Sequence, residues 1–399
     1  MTARARKILP VFAITGPTNT IGTQSKPPST RSKWLICWGD LCSLLIVARF
    51  KQFTTVVEPG VGNSTGSVPL HFVHHRSPRD DAIPLLFIHG WPGSFLEVGR
   101  VIDQLTNPPN TSVPAFHVVA PSIPGFGFSP IPQHTSFGPA AAADAFNALM
   151  LQLGYEKYVI QGGDFGGVIL RYQAHQFPDN VVSVLSNFWI IQPSNYDISK
   201  IAEGSATDDE VAYVKILQNY INHASGYRHI QQTQPLTLAY GMSDSPLGNA
   251  LWMYALMSAV IDPAITSWTP EEIITWSMMY YIQGPYGGMH FYKEVLNDGA
   301  LAGPEFGVLP IVTQPVSISQ FPFDLTYRMP LSWAKQGGNV LRRTVHDRGG
   351  HFAAYEVPEL LLDDIWSWFG DKSTSKTNAF DLAYQQLSTD GLEAHAMVN

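Results

Sequence analysis

Three residues of this 399-residue chain could form a hydrolytic relay: Asp164, Asp324 and His351. Asp164 is the centre of "QGGDFGG" (161–167), which follows the apolar run "KYVI" and precedes the helical stretch "VILRYQAHQF". Strand, glycine turn and helix make a nucleophile elbow, a sharp corner that lifts one side chain above a sheet. The positions two before and two after the raised residue must be small, and here they are Gly162 and Gly166. A serine at such a corner needs a base before it can attack. A carboxyl of ordinary pKa, about 3.9, is already ionised at neutral pH. A carboxylate adds reversibly to an ester carbonyl but displaces well at a saturated carbon bearing a leaving group. Asp164 therefore implies hydrolysis in two steps, through an alkyl ester of its own side chain. The bonds this chemistry suits are carbon–halogen and epoxide carbon–oxygen bonds.

The second step needs a base, an acid behind it and an oxyanion site. His351, in "DRGGHFAAYEVPELL" (347–361), follows a late strand and precedes the last helix, where the histidine belongs in the order nucleophile, acid, histidine. Position alone selects it among thirteen histidines. Asp324, in "QFPFDLTY" (320–327), ends the preceding strand and is the expected acid, holding the imidazole tautomer. Asp347 competes but lies on the histidine's own loop. "FIHGWPGS" (87–94) ends an apolar strand and would aim the Trp91 N–H at the oxyanion, with the Phe165 N–H as second donor. His89, just before that turn, reads as structural. A phosphate loop is the competing reading of the glycines, but Asp164 would repel a phosphate.

The elements that must position these groups alternate. Strands are expected at 68–75, 83–90, 115–123, 157–163 and 181–188, and helices at 94–105, 139–153 and 166–177. This order implies a mostly parallel sheet with helices on both faces. Residues 193–300 read as helical, rich in Tyr, Trp and Met, and should cover the carboxyl ends of the strands as a lid. Strands resume at 316–323 and 339–346, and an amphipathic helix at 357–369 closes the fold. The division is thus an atypical amino-terminal segment (1–49), a core in two parts (50–192 and 301–371), the lid (193–300), and a polar, mobile tail (372–399).

Net charge is −8 and no basic stripe is present, which argues against a nucleic-acid partner. The two cysteines, Cys37 and Cys42, read as ordinary thiols, with no companion set for zinc and no disulfide framework. No metal or cofactor is expected. The run "WLICWGDLCSLLIVARF" (34–50) is interrupted by Gly39, Asp40 and Ser43, so no membrane span is expected and a cytoplasmic location is favoured.

The chain resembles the microsomal branch of the epoxide hydrolases, with the juvenile-hormone and fungal enzymes. The likeness rests on "QFTT" (52–55), "HFVHHRS" (71–77), "LLFIHGWPGSF" (85–95), "PSIPGFGFS" (121–129), "QGGDFGG", "SGYRHIQQTQP" (225–235), "FYKE" (291–294), "FPFD" (321–324) and "RGGHFAAYEVPELL" (348–361). It implies an α/β-hydrolase fold with a helical lid, a small apolar epoxide and water as substrates, and a homodimer as one arrangement open to it. The family's two lid tyrosines fall on Tyr227 and Tyr292, which would protonate the epoxide oxygen. The residues themselves do not choose these two among sixteen tyrosines. The loop "PGFGFS" would shape the pocket. An aspartate-nucleophile dehalogenase and a catalytically silent binding protein of the same fold stand as alternatives.

The amino terminus departs from this pattern. Residues 1–39 hold no Asp or Glu but several Arg and Lys among Ser and Thr. This composition fits a targeting sequence, with membrane or organellar association, a divergent remnant, or a misread gene whose intron or shifted frame is translated. The last predicts that residues 1–48 fail to fold and leave core surface uncovered.

Overall fold

The computed structural model describes residues 49–59, 66–133, 136–300 and 307–381. The expectations for residues 1–48, including Cys37 and Cys42, lie outside them.

Eight strands form one sheet, β1 (Gln52–Val57), β2 (Val68–His75), β3 (Ile83–Ile88), β4 (Phe116–Pro121), β5 (Tyr158–Gly162), β6 (Val181–Ser186), β7 (Val312–Gln320) and β8 (Gly338–Val345). Their order is β1-β2-β4-β3-β5-β6-β7-β8. The first three neighbours pair antiparallel and the rest parallel. β3, β4 and β5 are buried along their whole length, the mark of parallel strands covered on both faces. The chain steps from β3 outward to β4, then back across to β5. Right-handed crossovers in opposite directions place the two connections on opposite faces. The second carries helix α1 (Pro139–Gln152), and α2 (Phe165–Gln176) follows β5.

Between β6 and β7 the chain is helical. It runs through α3 (Asn195–Ala202), α4 (Asp208–Asn219), a π-turn (Tyr220–Ala224), α5 (Gly226–Thr233), α6 (Pro235–Asp244), α7 (Pro246–Met257), α8 (Pro270–Tyr281) and α9 (Tyr286–Asn297). Capping boxes at Ser194, Thr207 and Thr269 start α3, α4 and α8 by satisfying their first N–H groups. α5 packs against α9. α10 (Pro358–Gly370) packs on β6 and β7.

Register sets the site. Ile88 pairs with Gly162, so the loops leaving β3 and β5 start side by side. Gln320 pairs with Val345 and Phe323 bridges Gly350, so the loops leaving β7 and β8 do the same.

Four local expectations change. β1 is a strand, though its largely exposed residues carry no alternating pattern. The helix expected at 94–105 splits into a 3-10 turn (Phe95–Arg100) and one short helix (Ile102–Thr106). β7 begins at Val312, before the expected 316. The start of the polar tail is docked, not loose: Ser375, Thr377 and Phe380 are buried, and the Thr377 hydroxyl donates to Phe369 O at 2.7 Å. No helix among the described residues is long and apolar enough to cross a membrane.

Candidate active site

Asp164 sits at φ 48°, ψ −125°, outside the regions open to most L-residues. Strand and helix approach so closely here that side chains are excluded. A Cβ on Gly166 would lie 2.1 Å from the Ile88 carbonyl oxygen, and one on Gly162 would lie 2.7 Å from the Gly166 backbone. The tight corner projects the carboxylate between the β3 loop and the β8 loop. Its Oδ1 accepts the Trp91 N–H at 2.8 Å, and its Oδ2 lies 3.5 Å from His351 Nε2. Phe165 is the first residue of α2, at the dipole's positive end.

His351 Nδ1 lies 2.7 Å from Asp324 Oδ2. The other Asp324 oxygen accepts the Thr326 N–H at 2.8 Å and the Thr326 hydroxyl at 2.6 Å, so a buried carboxylate is fully engaged. Burial is the largest influence on His351 and lowers its pKa. The hydrogen bonds and charges of Asp164 and Asp324 together outweigh it and hold the imidazole well above its ordinary value.

Tyr227 on α5 and Tyr292 on α9 face Asp164 from the other side. The Trp91 ring stacks on Tyr227 at 5.7 Å and meets Tyr292 edge-on at 5.4 Å. The two tyrosine rings lie 5.9 Å apart, and Tyr292 also packs on Phe165 at 4.6 Å. Burial, reinforced by neighbouring phenols and Asp164, pushes both well above the ordinary phenol pKa. Both are therefore neutral hydroxyls able to donate. A cavity of about 290 Å³ lies between Asp164, His351 and the two tyrosines, walled by Phe188, Leu256 and Val260 among other apolar groups.

The competing groups fall elsewhere. The His89 Nδ1 faces Gly90 O at 2.9 Å and its Nε2 accepts the Ile123 N–H at 3.2 Å; burial lowers its pKa to about 4, so it ties loops together as a neutral ring. The Asp347 side chain is 90% exposed and sits 3.7 Å from Arg348. The "PGFGFS" loop does not line the cavity. It braces the helices above: a Cβ on Gly125 would lie 3.1 Å from Gly287 of α9, and Gln283 donates to Gly127 O at 2.9 Å. Among the described residues no group of three or more His, Cys, Asp or Glu is placed to hold a metal.

Three residues near the site carry no signal in the sequence. Tyr220 reaches Tyr227, oxygen to oxygen, at 3.2 Å. Glu97 lies beneath the β3 loop, 3.4 Å from the Gly90 N–H. Glu356 ties the His351 loop to the segment after α7. Glu356 stands inside the histidine-loop motif and Glu97 two residues past the β3-loop motif, where the glycines and histidines draw the attention.

Fold and site define an α/β hydrolase with a carboxylate in the nucleophile position. A sequence family described as the epoxide hydrolase N terminus matches residues 44–98, and one described as the alpha/beta hydrolase fold matches 83–196. The first match begins within the segment 1–49. Epoxide hydrolase 1 of Sus scrofa is 31% identical over 360 residues, covering 82% of this chain and 75% of that one. Juvenile hormone epoxide hydrolase 2 of Ctenocephalides felis is 32% identical, covering 75% of this chain and 68% of its own length. The structure of Aspergillus niger epoxide hydrolase superposes with a TM-score of 0.70 at 25% identity, covering 94% of each chain. The chain belongs to the epoxide hydrolase family.

Proposed function

We propose that this enzyme opens small apolar epoxides with water to vicinal diols through an ester on Asp164. The reading rests on one observation: the two oxygens of Asp164 are held differently. Oδ1 is engaged by the Trp91 N–H, while Oδ2 faces His351 and the cavity that Tyr227 and Tyr292 line.

In the first step Asp164 Oδ2 attacks an epoxide carbon and the ring carbon–oxygen bond breaks. The freed oxygen takes a proton from the tyrosine pair, which suits this because a phenol is neutral at neutral pH yet a strong donor. Esterification removes the Asp164 charge, one of the groups that hold the His351 pKa up. The imidazole then gives up its proton to solvent, to be regained once Asp164 is a carboxylate again, and becomes a base. It takes a proton from water, whose oxygen adds to Asp164 Cγ. The oxyanion is received by the Trp91 N–H and, by its position at the head of α2, the Phe165 N–H. Asp324 steadies the imidazolium. Collapse expels the diol oxygen, which takes the proton from His351.

The helices between β6 and β7 act as the lid that shuts water out and carries the acid groups. The apolar cavity suits a hydrocarbon-bearing epoxide. Purified protein incubated with racemic styrene oxide should form diol, and Asp164→Ala should form none. Equal diol from both proteins would sink the assignment of Asp164.

A further inference from the structure

Beside Tyr227 the cavity wall holds two further polar groups that the two-tyrosine scheme does not use. The helix running from α4 into α5 is interrupted by the π-turn Tyr220–Ala224. Such turns are rare and concentrate at functional sites. This one brings Tyr220 to the cavity wall, beside Tyr227. The two hydroxyl oxygens are 3.2 Å apart. Arg228, 1% exposed, also reaches the cavity wall; its guanidinium lies 5.5 Å from the Tyr220 ring centroid and hydrogen-bonds the Tyr220 hydroxyl.

Either hydroxyl can donate in the Tyr220–Tyr227 bond, and donor counting shows which direction serves an acid. A guanidinium has donors and no acceptor, and a phenol has one proton. Toward Arg228 the Tyr220 oxygen accepts, so its proton can be directed at Tyr227. Tyr227 then accepts from Tyr220, as it does from Tyr292, and keeps its own proton for the cavity. Reversed, Tyr227 would spend its proton on Tyr220 and have none for a substrate.

We propose that Tyr220 and Arg228 are positioning residues that extend the acid: Arg228 donates to Tyr220, Tyr220 to Tyr227, and Tyr227 to the epoxide oxygen. The inference rests on the reading of Tyr227 as a proton donor. As the ring opens, a bond forms between Asp164 Oδ2 and carbon, and the carbon–oxygen bond breaks. The Tyr227 proton goes to the freed oxygen and the Tyr220 proton to Tyr227. The negative charge that began on Asp164 ends on Tyr220, beside the guanidinium. It is discharged when hydrolysis of the ester leaves Asp164 as a carboxylic acid with one proton to return. The influences on Tyr220 agree with this end point. Burial raises its pKa, while Arg228 and the hydrogen bond to Tyr227 pull it down, and the more distant Asp164 raises it. Burial still leaves Tyr220 above the ordinary value, and Tyr227 is pushed well above it.

The test is single-turnover ester formation with styrene oxide, followed by rapid quench and intact-mass analysis across pH. Four proteins are compared: wild type, Tyr220→Phe, Tyr227→Phe and the double variant, each checked for fold by circular dichroism. Tyr220→Phe keeps the ring and loses only the hydroxyl. It should slow ester formation about tenfold, the worth of one hydrogen bond to a developing charge. It should also move the alkaline fall of the rate to higher pH. In the Tyr227→Phe protein the same change should do nothing further. Arg228→Lys, which keeps a buried cation, should retain most of the rate. An effect of Tyr220→Phe that is equal with and without the Tyr227 hydroxyl would overturn the relay. So would an unchanged rate and pH profile while Tyr227→Phe is slow. If Tyr227→Phe itself forms ester at the wild-type rate, the assignment of Tyr227 fails, and the relay with it.

Discussion

Glu356 accepts the Asp262 N–H at 2.8 Å with one carboxyl oxygen and the Phe352 N–H at 3.0 Å with the other. One side chain thus fastens the histidine loop to the segment between α7 and α8. The tie is doubled, because Asp262 accepts the Gly349 N–H at 3.1 Å and the His351 N–H donates to Val260 O at 2.9 Å. A glutamine at 356 can accept on one arm only, leaving a backbone N–H without its partner at a cost of about 1–3 kcal/mol. Glu356→Gln should lower the melting temperature and slow breakdown of the ester more than its formation, since His351 acts in the second step. Equal slowing of both steps in a rapid-quench experiment would show that Glu356 does not act through His351.

Splitting the two steps also gives the sharpest test of the nucleophile. His351→Gln removes the base but leaves Asp164 and the tyrosines in place. The variant should gain the mass of one epoxide and hold it, while multiple turnover falls by at least about a hundredfold. Peptide mapping should place the added mass on Asp164. A well-folded His351→Gln protein with no adduct would rule out the two-step scheme.

Glu97 makes a prediction about stability and pH. Burial lifts its carboxyl from 4.5 to about 8; His351 and the Gly90 N–H pull it down, and Asp164 adds to the rise. The folded protein therefore keeps a proton that the unfolded chain gives up near pH 4.5. The resulting stabilisation is complete below that pH and is lost as pH rises toward 8. Glu97→Gln abolishes the titration, so the variant should gain on the wild type in thermal unfolding between pH 5 and 8. A constant gap across that range would mean that Glu97 is ionised throughout.

The β3 loop tolerates no bulk where it passes the nucleophile. A Cβ on Gly90 would lie 2.3 Å from Asp164 Cβ, far inside contact distance. Gly90→Ala must push the loop or the aspartate aside. Displacement on the ångström scale costs about a hundredfold in rate, so kcat/KM should fall by that order. The destabilisation should stay near about 1–3 kcal/mol. Full activity in Gly90→Ala would show that the Trp91 N–H need not sit where it does.

The sequence discloses most where burial or close approach leaves few choices. β3, β4 and β5 read as strands because both faces are covered, and Asp164 stands out because the elbow admits only glycine around it. β1 is illegible because an exposed edge strand needs no apolar alternation. Tyr227 and Tyr292 are a different case. They meet only because α5 packs on α9, and no spacing in the chain predicts that contact. The resemblance to a family named them, where the residues alone did not. Tyr220 is hidden more deeply still, since its placement depends on a π-turn that local propensity does not announce. Glu356 sits inside a recognisable motif and Glu97 just past one, yet their work is with backbone N–H groups, which leave no trace in side-chain pattern.

The unequal grip on the two oxygens of Asp164 has an isotopic consequence. On the proposed scheme the oxygen under the Trp91 N–H stays with the protein, while the one that attacks carbon departs in the diol. Water supplies its replacement. In heavy-oxygen water the first molecule of product should carry ordinary oxygen drawn from the polypeptide, and the label should appear in Asp164. On that scheme the side chain is a reagent consumed and rebuilt at every cycle, and its atoms record whether the enzyme has ever turned over.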